Sequence, residues 1–331
     1  MSRFQNWLCL ALFVVVAAPS SPAQNDAGAL PPSAQRVETG IYLMNVYDLD
    51  INAYSFHADF YLWFKWRGDL DPMNIEFVNS VEKWGYFIEP FEEEPTETED
   101  GYQYNGMRIE GRFYHSFELG DFPLDRHQLD IRIENVDHPI DSLVYVPSGA
   151  TSLVRGDFRM PGWEIETADM SSHSNFYETN FGEGDPSTFS NFTFTLTIAR
   201  PLSYFLLKLL LPLLVVIMAS MGALFIHPAY LDTRISLPIG GLLTSVFLQQ
   251  SYSSALPDVG YMVLMDKIYL LSYILISLIM LKVIFSANRL AKKEADPLTG
   301  RLKRKDRRQA LIFLAIYALG IFLLVIFARN S

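Results

Sequence analysis

The stretch Asp232–Pro257, DTRISLPIGGLLTSVFLQQSYSSALP, constrains this chain more than any other. It is long enough to cross a bilayer and carries no charge between Arg234 and Asp258, yet it holds seven Ser/Thr, two Gln and two Gly. A helix facing only lipid has no use for so many hydroxyls and amides, because hydrocarbon offers them no partner. A helix with one wet side does. At about 3.6 residues per turn, Ser236, Gly240, Leu243, Phe247, Gln250 and Ser254 fall on one face. They span about 27 Å at 1.5 Å per residue, close to the ~30 Å of hydrocarbon in a bilayer. The face begins small, turns bulky and apolar at Leu243 and Phe247, and ends polar. It reads as the lining of a pore with those two residues as its constriction. One helix encloses nothing, so a pore requires several copies arranged symmetrically. The competing reading is a small-residue face packed against neighbouring helices, and the pattern alone leaves both open.

The remainder of the chain divides in two. Residues 24–200 carry 11 Lys/Arg against 31 Asp/Glu, whereas residues 201–331 carry 14 against 6, a split expected of two environments on opposite sides of a membrane. Ahead of both, Arg3, the apolar run Leu8–Ala18 and the small residues Ser21-Pro22-Ala23 read as a signal peptide over residues 1–23. The single cysteine, Cys9, lies inside it, so the mature chain would have no disulfide and no thiolate metal site.

Residues 24–200 alternate with period two. Phe56, Ala58, Phe60, Leu62, Phe64 and Trp66 interleave with His57, Asp59, Tyr61, Trp63 and Lys65, and the pattern recurs around Leu129–Ile133 and Phe192–Ile198. This predicts an all-β immunoglobulin-like sandwich of eight to ten strands. An all-α four-helix membrane domain (201–331) follows, with spans at about 202–226, 235–255, 262–286 and 309–328. The segment 287–308 is strongly basic, which places it in the cytoplasm and the β-domain outside.

Signal peptide, sandwich, four spans and a pore-like second span together resemble the pentameric ligand-gated ion channels, the Cys-loop receptor superfamily. FPLDRHQLDIRIE (Phe122–Glu134) is similar to the family's FPFD turn and following strand. Arg200-Pro201 matches the junction into the first span, and Pro212 the proline within it. TRISLPIGGLLTS resembles the pore helix, and LPDVGYMVLMDKIY the linker into the third span. The cysteine pair that names the loop is absent, as is a long domain between spans three and four, and both absences fit the prokaryotic branch.

The resemblance implies a ligand-gated homopentamer in a bacterial inner membrane, with a periplasmic ligand-binding domain. Its partners would be other copies of itself, lipid, permeating ions and an unknown small-molecule agonist. It assigns the gate to Leu243 and Phe247; interhelical packing is the alternative for both. Asp232 would sit at the cytoplasmic mouth and favour cations, with Arg234 opposing it if that side chain also faced the axis. Pro238 and Gly240-Gly241 would let the helix bend, or let it pack closely.

A ligand site is implied between adjacent β-domains, built from Glu76, Glu134, Tyr177, Phe181, Phe189 and Trp63; these aromatics could equally be core. Val136 stands where amine-binding relatives carry an aromatic. Asp125, Arg126, Arg200 and Pro257 would couple the domains, with Asp125 pairing Arg200 and its turn touching the Leu256–Gly260 linker. Seven acids in Glu89–Asp100, Glu92, Glu93 and Glu94 among them, suit a modulatory calcium ion or simply a solvated loop. No further cofactor is implied. A non-conducting periplasmic sensor is the competing function, against which the polar cluster Gln249-Gln250 and Ser251–Ser254 argues. No hydrolase, metalloprotease or phosphate-loop motif is present, so the chain is not read as an enzyme, and nothing points to nucleic acid.

Overall fold

A computed structural model describes residues 33–329, apart from 83, 180–181, 183–186, 228–229 and 292–296. The segment read as a signal peptide therefore lies outside the described residues, as does Phe181.

The alternating half of the chain forms two facing sheets. One contains β1 (Gln35–Asp50), β2 (Ser55–Trp66), β4 (Phe87–Pro90), β6 (Gln103–Tyr114) and β8 (Leu143–Pro147) in the order β4-β6-β2-β1-β8, with β5 (Thr96–Glu97) pairing β6. The other runs β3-β7-β10-β9, from β3 (Ile75–Phe77), β7 (Arg126–Asn135), β10 (Thr188–Ala199) and β9 (Glu164–Phe176). Period two explains the packing. In β2, the residues Phe56, Ala58, Phe60, Leu62, Phe64 and Trp66 point into the core, where all are buried, while the residues between them are only partly covered.

β10 leads directly through Arg200-Pro201 into the helices: α1 (Tyr204–Gly222), α2 (Leu231–Ser253), α3 (Leu264–Ala291) and α4 (Pro297–Arg329). Each contains a segment long and apolar enough to cross a membrane, so this is a multi-pass membrane protein. The first turns of α1, Tyr204–Leu210, wind as a π-helix and tighten to α at Leu211. Pro212, lacking an N–H, falls where the π-wound turns give way to α-helix, so its missing donor coincides with the change of winding. The stretch read as a basic loop is partly helical, because α4 already begins at Pro297.

The cores of the two halves merge. Phe122, Ile198 and Phe158 of the sandwich belong to the same buried cluster as Phe205 and Leu213 of α1, Tyr252 of α2, and Val263, Met265 and Tyr269 at the head of α3. A second cluster around Ile217, Ile276, Ile279 and Tyr317 fills the far end of the helices. Apolar continuity across the junction lets movement of one domain bear on the other, since close-packed interiors transmit displacement.

Candidate functional site

The helix α2 has two unlike sides. Arg234, Pro238, Gly241, Ser245 and Tyr252 are buried against the other helices, at helical spacing. Opposite them Ser236, Gly240, Leu243, Phe247, Gln250 and Ser254 are all exposed, Leu243 at 57% and Phe247 at 66%. The six positions thus form one continuous uncharged stripe that no other part of the subunit covers. Its hydroxyls are satisfied by their own helix: Ser236 Oγ donates to Asp232 O at 2.7 Å, and Ser254 Oγ to Ser251 O at 3.1 Å. Their lone pairs remain available to water.

The glycine pair separates in function. A Cβ on Gly241 would lie 1.9 Å from Ser220 Oγ, so this glycine lets α2 approach α1 closely. Gly240, with nothing within 4 Å of such an atom, lies on the exposed stripe. Gln249 lies off the stripe. Its Nε2 donates to Asp266 Oδ1 at 3.2 Å and its Oε1 accepts from Tyr273 Oη at 2.5 Å, and Tyr252 Oη also bonds Asp266. It ties α2 to α3, and only Gln250 of the glutamine pair remains exposed.

At the other end of α2 the charges part. Asp232 is exposed, whereas Arg234 is 1% exposed and turned into the helix bundle. Positions two apart on a helix leave it about 200° apart, so the two side chains set out in opposite directions, and only the length of an arginine could bring its charge back to the mouth. Arg234 Nε donates to Ala223 O at 2.8 Å and Nη2 to Asp306 Oδ2 at 2.6 Å, with Lys282 Nζ 3.3 Å from Asp306 Oδ1. Asp306 escaped the sequence reading because it is one acid in the basic run RLKRKDRRQ. Its register was the available signal. Asp306 stands four residues before Ala310 and eleven before Tyr317, on the buried side of α4.

The domain junction centres on Asp125. Its buried carboxylate accepts from Arg200 Nε at 2.8 and 3.0 Å and lies 2.8 Å from His127 Nε2. The Arg200 guanidinium also lies over the rings of Trp163 (4.2 Å) and Phe122 (5.0 Å). Arg126, by contrast, points to solvent and pairs with Glu166 at 2.7 Å. The turn before Asp125 bonds the residues that follow the Leu256–Gly260 linker, and Leu256 and Val259 of the linker pack against the same cluster as Phe122. Gly120 O accepts from Leu264 N at 2.9 Å, Phe122 O from Met265 N at 3.2 Å, and Tyr261 Oη from Leu119 N at 3.1 Å. Pro257 lines a neighbouring cavity of about 380 Å³ with Tyr252, Tyr261 and Asp266.

Beside the junction, His115 lies 5.5 Å from His127, ring to ring, and its Nε2 has no hydrogen-bond partner. Burial, and then the neighbouring His127, push its pKa down from 6.5 to about 4. The unfolded chain binds this proton more readily than the folded one between those values. Stability is therefore full above pH 6.5 and is lost as pH falls towards 4, by at most about 3 kcal/mol. We expect His115→Phe to flatten the fall in unfolding midpoint between pH 6.5 and 4, measured on the detergent-solubilised protein.

The residues assigned to a ligand lie in different places. Glu134 is buried, and its carboxylate accepts from Asn175 Nδ2 (2.7 Å), Asn191 Nδ2 (2.7 Å) and Tyr177 Oη (2.9 Å). Burial and the Glu134 carboxylate raise the Tyr177 pKa, keeping the phenol protonated. The Tyr177 and Phe189 rings meet edge to face at 5.9 Å. Glu76 pairs with Glu134 across β3 and β7 but is exposed. Trp63 belongs to the other sheet, its ring filling the space beside Gly40.

Glu92, Glu93 and Glu94 border a cavity of about 320 Å³ with Asp69 and Asp71. Among the described residues, no three acids or histidines converge closely enough to hold a metal ion.

No family model matches the chain. Among curated proteins it is similar to a "Gamma-aminobutyric acid receptor subunit beta" of Caenorhabditis elegans, at 23% identity over 177 residues. The alignment covers 52% of this chain and 30% of that relative's length. The likeness is to a receptor subunit, not to an enzyme.

Proposed function

From the pentameric ligand-gated channel superfamily, to which the distant receptor likeness and the order of β-sandwich and four membrane helices point, we propose that five copies of this chain form a cation-selective channel opened from outside. One observation carries this: the six-residue stripe on α2 is uncharged, exposed and uncovered by its own subunit, with a carboxylate but no exposed arginine at its end. Five such stripes around an axis make a wet path narrowed at Leu243 and Phe247, which closes when the apolar rings shed water. Five Asp232 carboxylates at its mouth lower the energy of a cation, and the acidic outer domain attracts cations towards the entrance. We place the chain among prokaryotic members, in an inner membrane, because it lacks a cysteine pair and has a short connection between α3 and α4.

The stimulus acts, on this reading, at the cleft between neighbouring β-domains. Glu134 supports that site by holding Asn175 and Tyr177, while the exposed Glu76 is the acid free to meet a ligand. Trp63 would come from the adjoining subunit. The receptor likeness supports a small organic ligand without extending the relative's own named ligand to this chain.

The test is recording from oocytes expressing the chain, stepping external pH and calcium and measuring reversal potentials under dilution of sodium chloride. We expect a cation-selective current, and Asp232→Ala to reduce the sodium-to-chloride permeability ratio several-fold. An unchanged reversal potential removes the role of Asp232. Surface pentamers that never conduct, even with Leu243→Ala, leave the sensor reading instead.

A further inference from the structure

Resting on the channel reading above, we propose that Asp306 of α4 is a selectivity-positioning residue: it holds the Arg234 guanidinium inside the helix bundle, away from the permeation path. Arg234 stands two residues from the mouth carboxylate, in the first turn of the helix that carries the stripe. Left to solvent, a long cationic side chain there would extend towards water at the mouth. Its charge would then oppose Asp232 at close range.

Two groups, the Asp306 carboxylate and the Ala223 carbonyl, keep it in. The Nη2–Oδ2 bond to Asp306 is 2.6 Å, and both side chains are 1% exposed, so water does not screen the pair. Ala223 O accepts from Nε, fixing the plane of the guanidinium from the end of α1. Lys282 of α3, 3.3 Å from the second carboxylate oxygen, completes a buried cluster drawn from α2, α3 and α4. Arg304, Lys305, Arg307 and Arg308 flank Asp306 in sequence and are all exposed, so Asp306 supplies the only carboxylate that reaches Arg234 among the described residues. Through this bond an outer helix with no place in the pore wall influences which ions the pore accepts.

Four subunit variants test this by reversal potential, each with surface pentamers counted. Asp306→Asn keeps the shape of the side chain but removes its charge. The permeability ratio should fall several-fold towards chloride as Arg234 leaves the cluster. Arg234→Gln together with Asp306→Asn should restore the wild-type ratio; a ratio that stays shifted with no charge at position 234 overturns the proposal, because Arg234 then did not cause the shift. Arg234→Gln alone should leave the ratio unchanged, since its charge is already off the path. Wild-type selectivity in a conducting Asp306→Asn channel overturns the proposal. If Asp306→Asn does not assemble, Arg234→Gln decides: an unchanged ratio supports the proposal, and a raised cation preference overturns it. Absence of current in every variant, including one combined with Leu243→Ala, takes down the channel reading itself and this inference with it.

Discussion

Leu243→Ala channels are expected to conduct without any added stimulus, in oocytes where the wild type passes no current under the same solution. The expected effect is large because it is multiplied by symmetry. Leu243 is 57% exposed within its subunit, so the substitution disturbs little of the fold's own packing while removing one apolar side chain from each of five subunits at the same level. A ring of leucines excludes water because hydrating so narrow an apolar passage is unfavourable; alanines widen it and let water, then ions, enter. Phe247, one turn further along at 66% exposed, should remain as a second, weaker constriction. The double replacement with Phe247→Ala should therefore conduct more than Leu243→Ala alone. If Leu243→Ala pentamers stay silent while Phe247→Ala conducts, the closing ring belongs at Phe247. If all three variants stay silent, the stripe is not a water path.

Asp125→Ala is expected to cost about 3–5 kcal/mol of stability, because it leaves the largely buried Arg200 guanidinium without its counter-charge and the His127 ring without its hydrogen-bond partner. The Asp125 side chain is fully buried, and Arg200 and His127 both lie within 2.8 Å of it. Arg126, the next residue, provides the contrast. Its pair with Glu166 is 2.7 Å long but solvent-exposed, and such pairs contribute about 0–1 kcal/mol. Thermal unfolding of the detergent-solubilised protein should thus show a large drop in midpoint for Asp125→Ala and almost none for Arg126→Ala. Equal effects would mean that Asp125 does not hold the junction. Combining Asp125→Asn with Leu243→Ala adds a functional reading: persistent current would place the defect between the domains and not in the pore.

These expectations separate what neighbouring residues reveal from what distant ones decide. Alternating apolar residues in β2 define a strand with one buried face whatever pairs beside it, and four long apolar runs define membrane helices whatever their order. That the six α2 positions share one face follows from helical spacing in the same way, whereas their exposure is settled by how α2 packs on the other helices. The Asp125–Arg200 pair was also accessible, through the resemblance carried by Phe122–Glu134 and Arg200-Pro201.

What the sequence left open was the rotation of each element against its neighbours. Asp232 and Arg234 are nearly adjacent, and only the packing of α2 on α1, α3 and α4 determines which of them meets solvent. Arg234 finds its partner 72 residues away, inside a basic run whose composition hides it. Glu134 looked like a free acid beside aromatics, yet asparagines on β9 and β10 occupy its carboxylate. Gln249 and Gln250 look equivalent in sequence but differ by about 100° on the helix, enough to give one to α3 and leave the other on the stripe. Local periodicity sets the kind of element and its faces, because those depend on bonds within a few residues. The state of each charge depends on desolvation and on partners brought from elsewhere in the chain, and those the tertiary structure alone supplies.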